Sequence, residues 1–184
     1  MTADSSTGEA GTPPTVGTGA ALDMLRTQFE YSIWARDQLL PLLEGLETEA
    51  IKAADQKGVY GSIHDTLAHM ASSEWLWLQR CLGDSPLRTP TGEDFATLTL
   101  LVSWWNYVHS QVMLFLNNTS EADLGDELTY LAADGKRRTR KVWHMLMQVP
   151  NHQTEHRSQI ATMLGSMGLE VPQTDLVVYL SKQS

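Results

Sequence analysis

His152 and His156 stand four residues apart in the stretch "NHQTEHRSQI". Four residues is close to one α-helical turn, so both imidazoles leave the same side of a helix. Two imidazoles at that spacing suit a divalent transition metal, as in the paired histidines of zinc-binding helices. The same pair could equally be neutral core histidines held by hydrogen bonds. A metal needs at least one further ligand, and the chain offers His64, His69 and His109 from other segments. His64 and His69 are five residues apart, roughly 140° on a helical wheel, so they cannot both aim at one point. Each lies on a flank of its helix's apolar face, and periodicity does not choose between them. His109 falls inside an apolar stripe with Val102, Trp105 and Val112, either as a further ligand or as a packed, hydrogen-bonded core histidine. His144 falls on the far side of its helix from His152, at solvent or at a contact.

Several other side chains carry both a chemical and a structural reading. Arg36 lies within an apolar stripe, where its stem packs while its head reaches the surface, or where it serves as an anion clamp above a metal. Arg157 points about 100° away from His156 and is expected in a structural salt bridge. Glu74 either orients a ligand histidine or pairs with a neighbouring helix. Cys81 has nothing around it in sequence that would lower its pKa, so it is not read as a nucleophile. The basic run "RRTRK", Arg137 to Lys141, reads as a solvated strand edge. Trp75, Trp77, Trp104 and Trp105 are core or dimer-contact residues.

Four amphipathic segments must position these groups. About Ala20 to Glu44, the residues Leu22, Leu25, Phe29, Ile33, Leu40 and Leu43 form one stripe. About Gly61 to Leu82, Ile63, Leu67, Met70, Trp77 and Leu78 mark an inner side, with Ser62 as the N-cap. About Phe95 to Asn117, Leu98, Leu101, Trp105, Val108, Val112 and Leu116 align. About Lys141 to Met167, Val142, Met145, Val149, Ile160 and Met163 share the stripe that also holds His152 and His156, and Gly168 closes the helix. Asp134-Gly135 signals a hairpin between the third and fourth segments, and Gly83 to Asp94, with Pro86, Pro90 and Gly92, reads as a loop. The fold class expected is all-α: a four-helix bundle with a small β-hairpin before the last long helix. Pro150 stands inside that last helix, where proline removes a backbone donor and kinks the chain.

Composition bounds the function. The 184 residues are 42% hydrophobic and 19% charged, as in an ordinary globular domain. A net charge of −9 disfavours nucleic acid and anionic membranes as partners. No apolar run is long enough for a membrane span. The single cysteine rules out an internal disulfide and points to a reducing, cytoplasmic setting. Residues 1–19, rich in Gly, Thr, Ser and Pro, read as a disordered low-complexity tail without the features of a secretion signal, ahead of one domain over 20–184.

The stretches "SIHDTLAHMASSEWLWLQ" and "NHQTEHRSQIATMLGSMG", in this order, resemble the second-helix and fourth-helix signatures of the DinB/YfiT-like superfamily. The second-helix pattern, His-x-x-x-x-Glu-x-x-Trp-Leu, matches His69, Glu74, Trp77 and Leu78. The fourth-helix pattern matches Asn151, His152, His156, Arg157, Gln159 and Ile160, with Glu155 standing where family members often carry another histidine. "WARDQLL" near the start and "VPQTDLVVYL" at the end are also family-like. The resemblance implies the metal ligands His69, His152 and His156, and so selects His69 over His64. Three neutral imidazoles leave positions open for substrate, and zinc and nickel both suit them. It further implies a metal-dependent enzyme that activates a low-molecular-weight thiol, as an S-transferase, or water, as a hydrolase. Its partners would be a small-molecule substrate and thiol, and it would form a homodimer. The competing expectations are a non-enzymatic metal-binding stress-response or interaction module, and a bundle whose histidines hold no metal.

Overall fold

A computed structural model describes residues 19–53 and 58–183. The tail expected over 1–19 lies, apart from Gly19, outside these residues. Seven α-helices follow in chain order: α1 (Ala20–Asp37), α2 (Leu40–Glu44), α3 (Thr48–Lys52), α4 (Ile63–Cys81), α5 (Leu98–Asn118), α6 (Val142–Ser166) and α7 (Leu176–Ser181). Two strands, β1 (Glu127–Leu131) and β2 (Arg137–Lys141), lie between α5 and α6. The long helices α1, α4, α5 and α6 form the bundle, with α4 packed against both α5 and α6, and α1 against both as well.

Local chemistry accounts for the boundaries. Ser62 caps α4, its hydroxyl accepting from Asp65 N–H at 3.0 Å, and Thr97 caps α5 by accepting from Leu100 N–H at 3.2 Å. Gly168, at φ +83°, takes the left-handed conformation just beyond α6, and Leu169 N–H turns back to the Leu164 carbonyl. The first segment is not one helix to Glu44. It breaks at Gln38 and Leu39, because Pro41 has no N–H to donate to the Asp37 carbonyl, and the chain restarts as α2 with Pro41 in its first turn. The hairpin pairs Glu127 with Lys141 and Thr129 with Thr139, and Gly135 at φ +75° closes its turn. All of β2 is exposed, as a basic edge should be.

Two apolar cores fill the bundle. One gathers Ile63, Leu67, Met70, Leu101, Trp105, Ile160, Met163 and Leu164 with Leu39 and Leu43. The other gathers Leu22, Leu25, Phe29, Leu78, Val112, Leu116, Met145, Leu146 and Val149. Most of the buried polar residues cluster between them: Ser32 and Arg36 on α1, Ser72, Ser73 and Glu74 on α4, and Gln153, His156 and Arg157 on α6, whereas Ser62, His64, Thr66 and Arg80 are buried toward the ends of α4. Pro150 is buried inside α6, which continues through it, and the Pro150 carbonyl accepts from Thr154 Oγ1 at 3.0 Å.

Candidate metal centre

The facing sides of α4 and α6 bring His69, His152 and His156 together. His152 Nε2 lies 2.9 Å from His69 Nε2 and 3.0 Å from His156 Nε2. All three candidate ligand atoms fall within 4.8 Å of one another. Zinc–nitrogen bonds of 2.0–2.1 Å in a tetrahedron put nitrogens about 3.3 Å apart. A small adjustment, in which the two short pairs open and the third, wider pair of His69 and His156 closes, would therefore admit an ion.

Hydrogen bonding favours a shared cation over three self-sufficient imidazoles. His156 Nδ1 meets Gln159 Oε1 at 3.0 Å, and a carboxamide oxygen only accepts, so that nitrogen carries the hydrogen. His156 Nε2 is left with its lone pair toward His152. His152 Nε2 can donate to one neighbour and not to both, which leaves lone pairs facing inward. Burial, followed by the neighbouring imidazoles, pushes His69 down to about 4. Burial, followed by His156, does the same to His152, also to about 4, against the opposing pull of Glu155. Both rings are thus neutral at pH 7, the form a metal requires. His152 Nδ1 is buried and has no hydrogen-bond partner among the described residues.

One side of the triad opens on a cavity of about 490 Å³ whose walls include Tyr60, Asp65, His69, Ser72, Thr91 and Glu93. Its mixed polar and apolar lining suits a small molecule that carries both kinds of surface. Tyr60 stacks on His69 with ring centroids 3.9 Å apart and planes 21° from parallel.

The other singled-out residues lie elsewhere. His64 is buried beside Gly92, and its Nε2 has no partner among the described residues. His109 belongs to a second polar cluster, its Nδ1 3.0 Å from Glu74 Oε1. Glu74, 1% exposed, also accepts from Trp105 Nε1 at 2.7 Å and Gln153 Nε2 at 2.6 Å. It therefore ties α4 to α5 and α6. His144 is exposed.

Arg36 differs from the surface-reaching reading. Only 3% exposed, it is held by Asp37 and Asn106 and lies over the Trp105 ring. Arg157 forms no ion pair among the described residues. Instead it donates to the Tyr31 hydroxyl at 2.7 Å and covers that ring beside the aromatic cluster of Tyr31, Trp34 and Tyr179, with the Asp175 carboxylate near enough to favour its charge without pairing. Cys81 is buried in the second core, which pushes its thiol up to about 12.

Sequence reasoning missed Tyr60 and Gln153, and named Gln159 in the family pattern without giving it a role. Gln159 was within reach, since three residues beyond His156 on a helix is a neighbouring position. Gln153 pointed into the core beside His152, and Tyr60 sits on a turn between two glycines that no periodicity marks.

A search of curated proteins finds no significant match. The sequence profile of the DinB family matches residues 21–183, which spans all four bundle helices and the three histidines. The chain belongs to the DinB family.

Proposed function

We propose that His69, His152 and His156 hold a divalent metal ion, zinc or nickel, and that the chain is a metal-dependent enzyme. The observation that carries this reading is the convergence of three Nε2 atoms beside an open cavity. A bound divalent ion would supply a site where a thiol or water loses its proton near neutral pH. The chain's own residues do the rest. Burial keeps the imidazoles neutral, and Gln159 fixes the tautomer of His156 so that its Nε2 lone pair faces inward. The Ser72 hydroxyl in the cavity wall donates to the Pro90 carbonyl at 2.6 Å, so toward a polar small molecule it would act as an acceptor.

Within this reading the substrate class is a small electrophile and a low-molecular-weight thiol, with hydrolysis as the alternative. Arg36 would clamp an anionic group through Nη1, which is buried without a partner among the described residues; Asp37, already on the same guanidinium, works against this. A homodimer has a candidate face in Leu100, Tyr107 and Leu114, exposed at seven-residue intervals along α5. We place the protein in the cytoplasm on its reducing cysteine usage; among the described residues no helix is long and apolar enough to cross a membrane.

The test is metal analysis of the purified protein, followed by thiol-transfer assays with monochlorobimane across a panel of thiols. Stoichiometric metal, lost in His152→Ala, with thiol-dependent turnover is the expected result. Metal without turnover on any thiol or ester would favour a non-enzymatic metal-binding module, and no metal at all would overturn the site.

A further inference from the structure

Tyr60 reaches the triad from outside the bundle. It sits in a tight turn in which Gly61 N–H donates to the Gly58 carbonyl at 3.0 Å, with Gly61 at φ +87°. The turn is seated closely on α6: a Cβ at Gly58 would come within 3.1 Å of Met163 Sδ. The Tyr60 ring lies almost flat on His69, centroids 3.9 Å apart, and meets His156 edge-on at 5.3 Å. Tyr60 therefore touches imidazoles from both helices, and it forms one wall of the adjacent cavity.

A histidine has two side-chain torsions, and packing or a bond from its second nitrogen must fix the ring plane before Nε2 points anywhere definite. His156 has Gln159 for this purpose. For His69, a flat aromatic surface at van der Waals distance restricts rotation about the Cβ–Cγ bond, since turning the ring would drive its edge into the tyrosine. We propose that Tyr60 is the positioning residue for His69: its ring, carried by the Gly58–Gly61 turn, holds the imidazole plane so that Nε2 meets those of His152 and His156. The ring face does this, and the hydroxyl is not needed.

The inference rests on the metal reading for one of its two readouts. In the first, Co²⁺ is titrated into the full chain and into Tyr60→Phe and Tyr60→Leu. Tyr60→Leu should bind about tenfold more weakly, the loss expected when a ligand-orienting contact is removed, with an altered visible ligand-field band. Tyr60→Phe should match the unaltered protein. The second readout uses metal-free protein, where the His69 ring protons, shielded by the face of Tyr60, should move downfield in Tyr60→Leu and stay in place in Tyr60→Phe. Unchanged Co²⁺ affinity, band and His69 shifts in Tyr60→Leu would overturn the proposal, as would equal losses in both variants. If the unaltered protein takes no Co²⁺, the metal reading fails, and the His69 shifts alone decide whether Tyr60 holds the ring.

Discussion

The bundle interior holds two histidine-containing polar clusters, and they are built on opposite principles. Around Glu74, one carboxylate receives Trp105, His109 and Gln153 between α4, α5 and α6, so each of these donors has an acceptor, and only Gln153 Oε1 is left buried without a partner among the described residues. Around His152, three imidazole nitrogens face one another with too few hydrogens to go round, next to a cavity. A buried polar network whose donors are all paired rigidifies a core, whereas one with inward lone pairs leaves room for a further partner. The comparison separates a histidine that serves the fold, His109, from the histidines that, on the proposed reading, would serve a ligand.

The sharpest way to break this contrast is to remove Glu74. Glu74→Ala strips the partner from the buried Trp105 and Gln153 and the half-buried His109 at once and should cost about 3–5 kcal/mol, read by urea denaturation. The triad should respond in the opposite sense. His152→Ala should abolish stoichiometric metal binding while leaving the stability of the metal-free protein nearly unchanged, checked by metal analysis and the same denaturation. Removing metal from the unaltered protein comes next. With the ion at a hundredfold over its Kd, binding is worth about 2.7 kcal/mol, so a chelator should lower Tm by roughly 5–10 °C, and His152→Ala should show no such shift.

A pH titration of the metal-free protein sharpens the contrast further. His69 and His152 titrate at about 4 when folded, below the ordinary histidine value of 6.5. The unfolded chain therefore binds more protons between these values, and stability falls as pH drops from about 6.5 toward 4. The variant lacking both rings should lose that part of the slope. The smallest effect belongs to Cys81, whose buried thiol, pushed up to about 12, should resist alkylation at pH 8 until the protein unfolds. Cys81→Ala should leave any thiol-dependent turnover intact.

The sequence made some of this legible and hid the rest for physical reasons. On α6 the apolar stripe is narrow enough that helical phase puts His152 and His156 on the inner side. On α4 it is not: His64 and Glu74 are both buried although neither belongs to the stripe, because that helix is surrounded on most of its circumference. Phase could not therefore choose His69, and the choice came from the family resemblance. The burial of Arg36 and the missing ion pair of Arg157 went unforeseen for a related reason, since the aromatic rings that receive them come from partners distant in sequence or from another helix. Tyr60 escaped notice because a turn residue's contacts depend on where the turn docks.

Along α6 the side chains that enter the bundle run apolar, then polar, then apolar: Val142 to Val149 in one core, Gln153 to Arg157 in the middle, Ile160 to Leu164 in the other. Pro150 falls at the first of these changes, and α4 repeats the sequence around Ser72 to Glu74. The molecule is thus two short apolar bundles stacked end to end on a hydrophilic cross-section. Packing strain from a substitution in either end has to cross that layer to reach the other. Leu116 or Leu164 can consequently be varied as separate modules, and the four helices can be retuned at their extremities while the middle keeps its aim.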